Sequence, residues 1–364
     1  METTVTTSQQ IRYFEERKEY RVAAMMDKFG QNAVDYISQY ADLAHPGTEV
    51  LCTTEAFNVQ AVNARSLRAF VNLKKVNDIQ NPNEFFALVN QKLPDGGYFI
   101  GCVETIASRK NRILNKHHPV ISYPYYLIDF IVKRVFPKLK PTRRIYSFLT
   151  RGINRIMSVT ETLGRLSVCG FEVVDRQEIG YLTYFVCKKK FVPVLNGEAS
   201  YGFLISLNRM GKNGKLFKVY KFRTMHPYAE FIQDYVYINN DLQRNGKFKD
   251  DFRITSWGRI LRKLWLDEQA MWLNWLKRDM KLVGVRPLSA HYLGLYPEEF
   301  QKRRMNYKPG LIPPFYVDLP KTLDEIIASE QKYLDAYDKH PWLTDFRYFW
   351  KAFYNIAIRG ARSG

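Results

Sequence analysis

The pattern of apolar and polar positions divides the chain into three stretches. In residues 1–47 apolar side chains recur among charges at helical intervals, which predicts helices ending at the turn His45-Pro46-Gly47. Residues 48–192 alternate short apolar runs with helical patterns, and residues 197–364 are richer in basic residues and motifs. The pattern therefore predicts a helical segment followed by two domains, with a boundary between Val192 and Gly197.

The middle stretch carries the clearest single elements. Its short apolar runs predict strands at Glu49–Thr53, Leu67–Leu73, Tyr98–Val103, Phe171–Asp175 and Thr183–Cys187. Helical patterns predict helices at Pro82–Leu93 and Val159–Cys169. Asn81-Pro82 supplies a cap and first turn for the first helix, and Gly170 ends the second. The last two strands follow one another closely, which predicts a hairpin-like pair at a sheet edge.

The charge of the chain calls for an anionic partner. The formal net charge is +19, and Lys133–Arg155 contains many Lys and Arg and no acidic residue. Apolar side chains interleave with these charges, which suits an anionic membrane surface at least as well as nucleic acid. A solvated basic face is the alternative interpretation of the same segment.

Cysteine spacing and hydropathy indicate the compartment. The four cysteines show no C-x-x-C spacing, which indicates thiols in a reducing compartment and argues against a zinc site. The first residues, METTVTTSQQ, lack the basic patch and apolar run of a signal peptide, and no window approaches the roughly 18 apolar residues that a spanning helix needs. We therefore expect a cytoplasmic protein, at the inner face of the cell membrane if it is attached there.

The first candidate for chemistry is the stretch Asn208–Met225. Its glycines and Asn213 predict a tight hairpin turn. On the following strand, alternation would place Lys221 and Arg223 on one face, where two cations can clamp a diphosphate. An ordinary basic hairpin would have the same pattern.

The second candidate is the adjacent carboxylate pair Asp267-Glu268. Arg262, Lys263 and Arg286 stand near it in the sequence, so the pair predicts a site that could hold a divalent metal and a phosphate together. Acidic residues at the start of a helix are the alternative interpretation. Apolar residues around the pair have helical spacing and are predicted to be core: Ile260, Leu261, Leu264, Met271, Trp272, Trp275 and Leu276.

Together these motifs resemble the monotopic phosphoglycosyl transferases, the bacterial sugar transferase family that starts polysaccharide and glycan assembly. Gly211–Met225 (GKNGKLFKVYKFRTM) and Asp250–Pro287 (with FRIT, GRILRK, LDE and LVGVRP) match the two motif blocks of that family in order. Tyr307–Leu311 (YKPGL) and the aromatic segment Trp342–Phe353 match in place and character. The resemblance extends from about Gly197 to the C terminus.

The resemblance implies a mechanism and a set of roles. Asp267 matches the nucleophile that attacks the β-phosphorus of a nucleotide-diphosphate sugar, which forms a phosphosugar-aspartyl intermediate. Polyprenyl phosphate in the membrane then takes the phosphosugar. Glu268 matches the partner carboxylate, which binds Mg²⁺. Phosphate contacts are expected from four basic residues: Lys221, Arg223, Arg262 and Arg286.

The chain departs from the family pattern around the carboxylate pair. Trp265 stands where the family has Ser, which removes a helix cap, and Gln269-Ala270-Met271 replaces Leu-Pro-Gln. Losing that proline would allow one helix to run through the site. Val285 replaces a proline, and the long apolar helix that precedes the hairpin in the family is missing. We therefore expect peripheral, salt-sensitive membrane attachment through 133–155 and 342–353, although 342–353 could equally be a core helix.

The stretch before the boundary resembles the second half of a class I methyltransferase. The features that carry this resemblance are the helix, the LPDGGYF turn into a strand, and the late helix with two strands. No Gly-rich loop follows the first strand, so we expect a scaffold without cofactor. The predicted fold class is α/β, with an incomplete Rossmann-like domain at 48–192 before a mixed α/β transferase domain at 197–364.

Three other functions compete with an active membrane transferase. The altered neighbours of the carboxylate pair would suit a non-enzymatic scaffold or regulator of a glycan-assembly complex. The missing membrane helix would suit a soluble enzyme with a different acceptor. Nucleic-acid binding is the weakest alternative, because no recognised binding module is present.

Overall fold

The described part of the chain forms two compact units. A computed structural model describes residues 22–64, 67–116, 118–193, 201–239 and 251–361. The first unit is made of two stretches, Met1–Ala199 and Pro227–Tyr235. The second unit is made of Ser200–His226 and Val236–Gly364. The predicted helical positions Ile11, Phe14 and Tyr20, and most of the predicted boundary, fall outside the described residues.

A five-stranded sheet organises the first unit. Its strands are β1 (Thr48–Leu51), β2 (Ala69–Lys75), β3 (Tyr98–Val103), β4 (Phe171–Ile179) and β5 (Leu182–Lys189). The spatial order is β1-β2-β3-β5-β4, with β1, β2 and β3 parallel and β5 antiparallel to both neighbours. The predicted terminal hairpin is therefore present, with β4 at the edge of the sheet.

Helices connect these strands. Residues 22–29 are helical, and the helices that follow are α1 (Gln31–Ser38), α2 (Ala56–Gln60), α3 (Pro82–Lys92), α4 (Ile106–Lys116), α5 (Pro119–Phe130), α6 (Lys140–Thr150) and α7 (Val159–Val168). Parallel strands joined through α2 and α3 give the predicted α/β, Rossmann-like arrangement. Pro82 is the first residue of α3 as predicted, but the Asn81 side chain does not cap it, because its Nδ2 donates to Glu84 Oε2 (3.2 Å) instead.

The core of the first unit explains why its central strands lack polar alternation. β2 and β3 are almost continuously buried, as expected for strands covered on both faces. Phe99 lies at the centre of an aromatic cluster, with ring centroids 5.5–6.0 Å from those of Phe70, Phe86, Phe171 and Phe185.

The second unit is a mixed α/β domain. Its strands are β6 (Leu204–Met210) and β7 (Leu216–Phe222), which form an antiparallel hairpin, and β8 (Lys281–Val283) and β9 (Gly310–Ile312), which are parallel. The helices from the second half of the chain are α8 (Gln233–Asn239, which begins in the first unit), α9 (Ser256–Lys263), α10 (Trp272–Leu276), α11 (Ala290–Leu293), α12 (Glu298–Arg304), α13 (Phe315–Asp318), α14 (Leu323–Lys339) and α15 (Pro341–Ala357).

Two glycines of the motifs mark points where backbones touch. A Cβ on Gly310 would lie 2.0 Å from the backbone nitrogen of Gly284, so the pairing of β8 with β9 requires glycine there. A Cβ on Gly258 would lie 2.1 Å from the carbonyl oxygen of Thr224, where α9 abuts the end of the hairpin. The separate sequence motifs are therefore joined in space by glycine contacts.

One prediction about core residues needs correction, and one alternative left open by the sequence is narrowed. Leu261 and Met271 are buried as predicted, but the other apolar residues predicted as core are exposed: Ile260, Leu264, Trp272, Trp275 and Leu276. α15 likewise exposes one aromatic stripe: Trp342, Phe346, Trp350 and Phe353. Periodicity identifies an apolar face without identifying what covers it. None of the helices in the described ranges combines the length and the apolar character needed to cross a bilayer.

Candidate active site

The hairpin β6–β7 presents two cations on one face. Lys221 lies on β7 with Val219 and Phe217 at alternate positions, so their side chains share a face. Arg209 on β6 pairs directly with Phe217 and therefore joins the same face. The turn of the hairpin is a single 3-10 turn at Lys212–Gly214, with Asn213 at φ 58°, as its Asn-Gly sequence predicts.

A buried asparagine fixes the hairpin beside the carboxylate pair. Asn274 on α10 is fully buried, and its Oδ1 accepts from the backbone nitrogen of Tyr220 (3.0 Å). Its Nδ2 donates to the carbonyl oxygen of Lys218 (2.6 Å). Both bonds are made to the β7 backbone, so Asn274 holds the strand that carries Lys221 in register with the segment around Asp267.

The carboxylate pair lies between two helical segments. The Thr255 side chain caps α9 by accepting from Gly258 N (2.9 Å), and α9 ends at Lys263. Trp265 then adopts φ 57°, which reverses the chain, and the backbone nitrogen of Phe222 donates to the carbonyl oxygen of Asp267 (2.9 Å). The expected continuous helix through the site is therefore absent, because the chain turns before Asp267.

Glu268 is a buried carboxylate that is held from both sides. Its Oε1 accepts from Lys221 Nζ (2.8 Å). Its Oε2 accepts from Trp265 Nε1 (2.9 Å) and from Tyr316 OH (2.9 Å). Trp265 Nε1 also lies 2.8 Å from Tyr316 OH. Glu268 is only 6% exposed, and the three donors compensate for the loss of water around its carboxylate. Trp265, a departure from the family pattern, thus contributes directly to the site.

Asp267 lies in a different electrostatic environment from its neighbour. Burial raises the pKa of Asp267, and the adjacent Glu268 carboxylate raises it further. Lys221 and Arg262 oppose this rise, as does a backbone hydrogen bond.

A pocket beside Glu268 gathers the cations. It is lined by Arg209, Val219, Lys221, Glu268, Met271, Arg286, Pro287, Leu311, Pro313, Phe315 and Tyr316. Burial lowers the pKa of the Arg209 guanidinium, and the positive charge of Arg286 lowers it further. Two guanidinium groups and an ammonium that face one pocket favour an anion with several oxygens, such as a diphosphate.

A buried ion pair supports the backbone of Arg286. Glu330 Oε1 accepts from the backbone nitrogen of Arg286 (3.0 Å), and Glu330 Oε2 accepts from Arg304 Nε (2.9 Å). Arg304 also donates to the carbonyl oxygen of Arg286. The side chains of Arg304 and Glu330 are 4% and 3% exposed. Both backbone groups of Arg286 are thereby fixed, which leaves its guanidinium at the pocket and 5.7 Å from the Phe315 ring centroid.

The remaining two predicted phosphate ligands lie outside the residues that line this pocket. Arg262 donates from Nε to Thr224 Oγ1 (3.0 Å), and its charge acts on Asp267. Arg223 follows the end of β7 and donates from Nε to the carbonyl oxygen of Gly202 (2.8 Å). The structure therefore brings Lys221, Glu268 and Arg286 together and places Arg262 on the Asp267 side.

Two polar residues of the pocket, Arg209 and Tyr316, were not predicted as site residues from the sequence. Arg209 could have been found from the register of the hairpin, since its position opposite Phe217 sets its face. Tyr316 could not, because 48 residues separate it from Glu268 and no motif links them.

The donor set fits a hard divalent cation. No group of three or more His, Cys, Asp or Glu side chains within the described ranges could enclose a metal. Mg²⁺ needs no such cage, because it usually binds one or two carboxylates and takes its other ligands from water and substrate phosphates. Asp267 and Glu268 offer carboxylate oxygens next to a cationic pocket, so these residues suit Mg²⁺ with a phosphate substrate.

Comparisons with known proteins agree with these motifs. The chain is 36% identical over 140 residues to the galactosyl transferase CpsE of Streptococcus agalactiae, which covers 37% of this chain and 30% of that protein. It is 38% identical over 120 residues to the undecaprenyl-phosphate galactose phosphotransferase of Salmonella typhimurium, covering 32% and 24%. The chain thus matches less than a third of the length of either relative.

Among solved structures, an O-methyltransferase family protein from Burkholderia thailandensis aligns with 51% of this chain and 63% of its own, at a TM-score of 0.28 and 10% identity. That likeness is too low to support an argument, and the strand order carries the Rossmann-like assignment instead. The family model described as bacterial sugar transferase matches residues 192–359. This C-terminal part of the chain, which contains the carboxylate pair and the cationic pocket, is therefore similar to the bacterial sugar transferases.

Proposed function

We propose that the chain transfers a sugar 1-phosphate from a nucleotide-diphosphate sugar to polyprenyl phosphate, the first step of polysaccharide assembly. The observation that carries the proposal is a pocket where Lys221, Arg209 and Arg286 meet beside Glu268. Asp267 precedes Glu268 in the chain and lies within the electrostatic influence of Lys221. The name of one relative, an undecaprenyl-phosphate galactose phosphotransferase, supports a polyprenyl phosphate acceptor and a sugar phosphate as the transferred group.

The reaction would proceed in two displacements at phosphorus. In the first, an oxygen of Asp267 bonds to the β-phosphorus of the donor. The bond from that phosphorus to the bridging oxygen breaks, and the nucleoside monophosphate leaves with the electron pair. In the second, a phosphate oxygen of the acceptor attacks the same phosphorus, and the Asp267 carboxylate leaves. The products are a polyprenyl diphosphate sugar and the regenerated aspartate.

The basic residues of the pocket would neutralise the negative charge of the donor's diphosphate. Lys221, Arg209 and Arg286 would bind the diphosphate oxygens, because repulsion between these oxygens and the Asp267 carboxylate otherwise opposes attack. Mg²⁺, held through Glu268 and Asp267, would supply further neutralisation of the phosphate charge. Arg262 would stabilise the ionised form of Asp267, which its charge already favours. Trp265 and Tyr316 would keep the Glu268 carboxylate oriented.

The decisive experiment separates the first displacement from the second. The chain is incubated with a panel of nucleotide-diphosphate sugars and Mg²⁺, and nucleoside monophosphate release and intact protein mass are measured. We expect release with at least one donor and a mass gain equal to a phosphosugar. Asp267→Asn should abolish both, because an amide is too weak a nucleophile.

Asp324→Asn, an exposed aspartate in the first turn of α14, is the matched control and should behave as wild type. Full activity of Asp267→Asn would place the nucleophile elsewhere. If wild-type protein gives neither adduct nor release with any donor, the non-enzymatic scaffold becomes the better description.

A further inference from the structure

The first unit carries an apolar surface that faces solvent. It spans α5, the connecting turns and α6, and its exposed members are Val120, Ile121, Tyr123, Tyr125, Leu127, Ile128, Ile131, Leu139, Ile145, Phe148 and Leu149. Phe148 is 86% exposed and Val120 is 75% exposed, so these are protruding side chains. Contiguous apolar surfaces of this kind mark sites of interaction with protein or membrane.

A surface helix of a soluble domain normally buries its apolar side and exposes its polar side, and α5 does the opposite. The residues that α5 buries are polar, Ser122 and Asp129, while its apolar side chains face outward. Asp129 Oδ2 accepts a hydrogen bond from Arg109 Nε (2.6 Å), and Asp129 Oδ1 lies 2.7 Å from Lys133 Nζ. This buried ion cluster anchors the helix by its polar side, so the fold itself holds the apolar side away from the core.

The charges around this surface are of one sign. Asp129 is the only acidic residue between Thr105 and Thr160, and it is buried in the ion cluster. Arg143 and Arg144 on α6 are exposed beside the apolar side chains, as is Lys116 at the end of α4. An apolar face with a cationic border complements an anionic bilayer, whose headgroups are negative and whose interior is apolar.

We infer that α5, α6 and the segment between them seat the first unit on an anionic phospholipid bilayer, with these apolar side chains at the boundary between headgroups and acyl chains. The helical path of α5 continues through a π-helical turn at Ile131–Val135, but Lys133, Arg134 and Lys138 end its apolar run, so it would lie in the interface and not cross the bilayer. The inference deepens the proposed function, because the proposed acceptor is itself a membrane lipid.

This mode of attachment changes the expected response to salt. Screening weakens the contribution of Arg143 and Arg144 but leaves the burial of apolar side chains intact. High salt should therefore release only part of the bound protein, whereas attachment through the basic segment alone would be released almost completely.

Vesicle flotation of the full chain tests the surface directly. We expect the wild type to float with phosphatidylglycerol-containing vesicles and to float less with phosphatidylcholine alone. The pairs Leu127→Glu with Ile128→Glu, and Phe148→Glu with Leu149→Glu, should each reduce the bound fraction at least about tenfold, since a buried charge is costly in lipid. Phe57→Glu, 75% exposed on α2 of the same unit, is the control and should float as wild type.

Failure to float, or flotation of both double variants at the wild-type level, would overturn the inference. Melting curves should match the wild type, since these side chains are exposed. If one pair does not fold, the other pair decides.

A local probe distinguishes a membrane from a protein partner. Cys52 is the exposed cysteine, and Cys102, Cys169 and Cys187 are buried, so a Cys52→Ser background permits selective labelling. An environment-sensitive dye on Ile128→Cys should shift to the blue when vesicles are added, while the same dye on Phe57→Cys should not. A blue shift at position 128 that depends on protein concentration without vesicles would identify self-association and refute membrane docking.

The inference and the proposed function can fail separately. Asp267→Asn protein should float as wild type, and the α5 and α6 variants should still release nucleoside monophosphate in a single turnover without acceptor. Flotation without release by the wild type would refute the proposed chemistry alone. Release together with unchanged flotation of the double variants would refute the membrane surface alone.

Discussion

If Asp267 is the nucleophile as proposed, its surroundings set the acid side of the pH–rate profile. Burial and the neighbouring Glu268 raise the pKa of Asp267 above its ordinary value of about 3.9. A protonated carboxyl group is no nucleophile, so activity is lost as the pH falls through this raised pKa. We expect the initial rate of nucleoside monophosphate release to decline at a pH above that of an ordinary aspartate. Circular dichroism at each pH confirms folding, and an acid limb at or below about 3.9 would contradict the role of burial.

Trp265 offers a test of how Glu268 is held. Trp265→Phe keeps an aromatic ring next to Tyr316 but removes the N–H that donates to Glu268 Oε2. We expect a stability loss of about 1 kcal/mol, as one hydrogen bond to a buried acceptor disappears. Because supporting residues orient metal ligands, the Mg²⁺ concentration for half-maximal rate should rise roughly 10-fold.

Trp275→Phe is the matched control, because Trp275 is 41% exposed and lies on α10. The readouts are urea denaturation and Mg²⁺ titration of the release rate. An unchanged Mg²⁺ requirement in Trp265→Phe would reduce Trp265 to a packing role.

At the residue scale, the sequence predicted the parts of the site that lie within motifs. Lys221, Glu268 and Arg286 meet as the motif order suggested. Arg209 was missed because face assignment depends on hairpin register, and Tyr316 because a contact across 48 residues depends on tertiary folding.

At the scale of elements, one buried ion pair, Arg304 with Glu330, fixes the backbone of the segment after β8. Glu330→Gln removes the charge that balances Arg304, whose side chain is 4% exposed, and it weakens the acceptor for Arg286 N. We expect a stability loss of about 3 kcal/mol, since breaking a buried pair leaves an uncompensated charge. The apparent KM for the donor should rise because Arg286 is no longer fixed.

Glu298→Gln provides the comparison, because Glu298 pairs with Lys302 on α12 with both side chains more than 70% exposed. Its loss should change stability by less than about 0.5 kcal/mol. Urea denaturation of both variants measures the difference. Equal, small losses of stability in both variants would show that the Arg304 guanidinium forms hydrogen bonds with other acceptors when Glu330 is neutral.

Strands and helices were predictable where their patterns were conventional. Tyr98–Val103 coincides with β3, and Pro82–Leu93 with α3 to within one residue, because turn residues bound both. α5 was not predicted, because its apolar residues face outward and its buried residues are polar. The apolar residues of α9 and α10 were assigned to the core, although most of them are exposed. Periodicity identifies an apolar face of a helix but not what covers that face.

At the scale of the whole molecule, the order of elements was predictable and their long-range pairing was not. Alternating strands and helices in the first unit predicted an α/β sheet, and the late strands predicted an edge hairpin. The pairing of β8 with β9 across 26 residues depends on the contact of Gly284 with Gly310, which no local pattern encodes. The segment Pro227–Tyr235, which joins the first unit from within the second, was equally invisible to local patterns.

The Rossmann-like strand order of the first unit does not imply a cofactor site, and the loop after β1 shows why. A dinucleotide or S-adenosylmethionine site of this type needs free backbone amides in a glycine-rich turn after the first strand. Here no glycine occurs between Leu51 and Ala69. The loop also uses its own polar groups: the backbone nitrogen of Thr53 donates to Asn72 Oδ1 (3.0 Å), and Thr53 O accepts from Asn72 Nδ2 (3.0 Å).

We therefore expect the full chain to bind no S-adenosylmethionine. Isothermal titration calorimetry should give only heats of dilution, and saturating ligand should leave the melting temperature unchanged, because a ligand that binds only the folded state must raise it. An active methyltransferase run in parallel verifies the ligand. A saturable heat that Asn72→Ala strengthens would mean that the loop opens to admit the cofactor, and the first unit would then be a binding domain and not a scaffold.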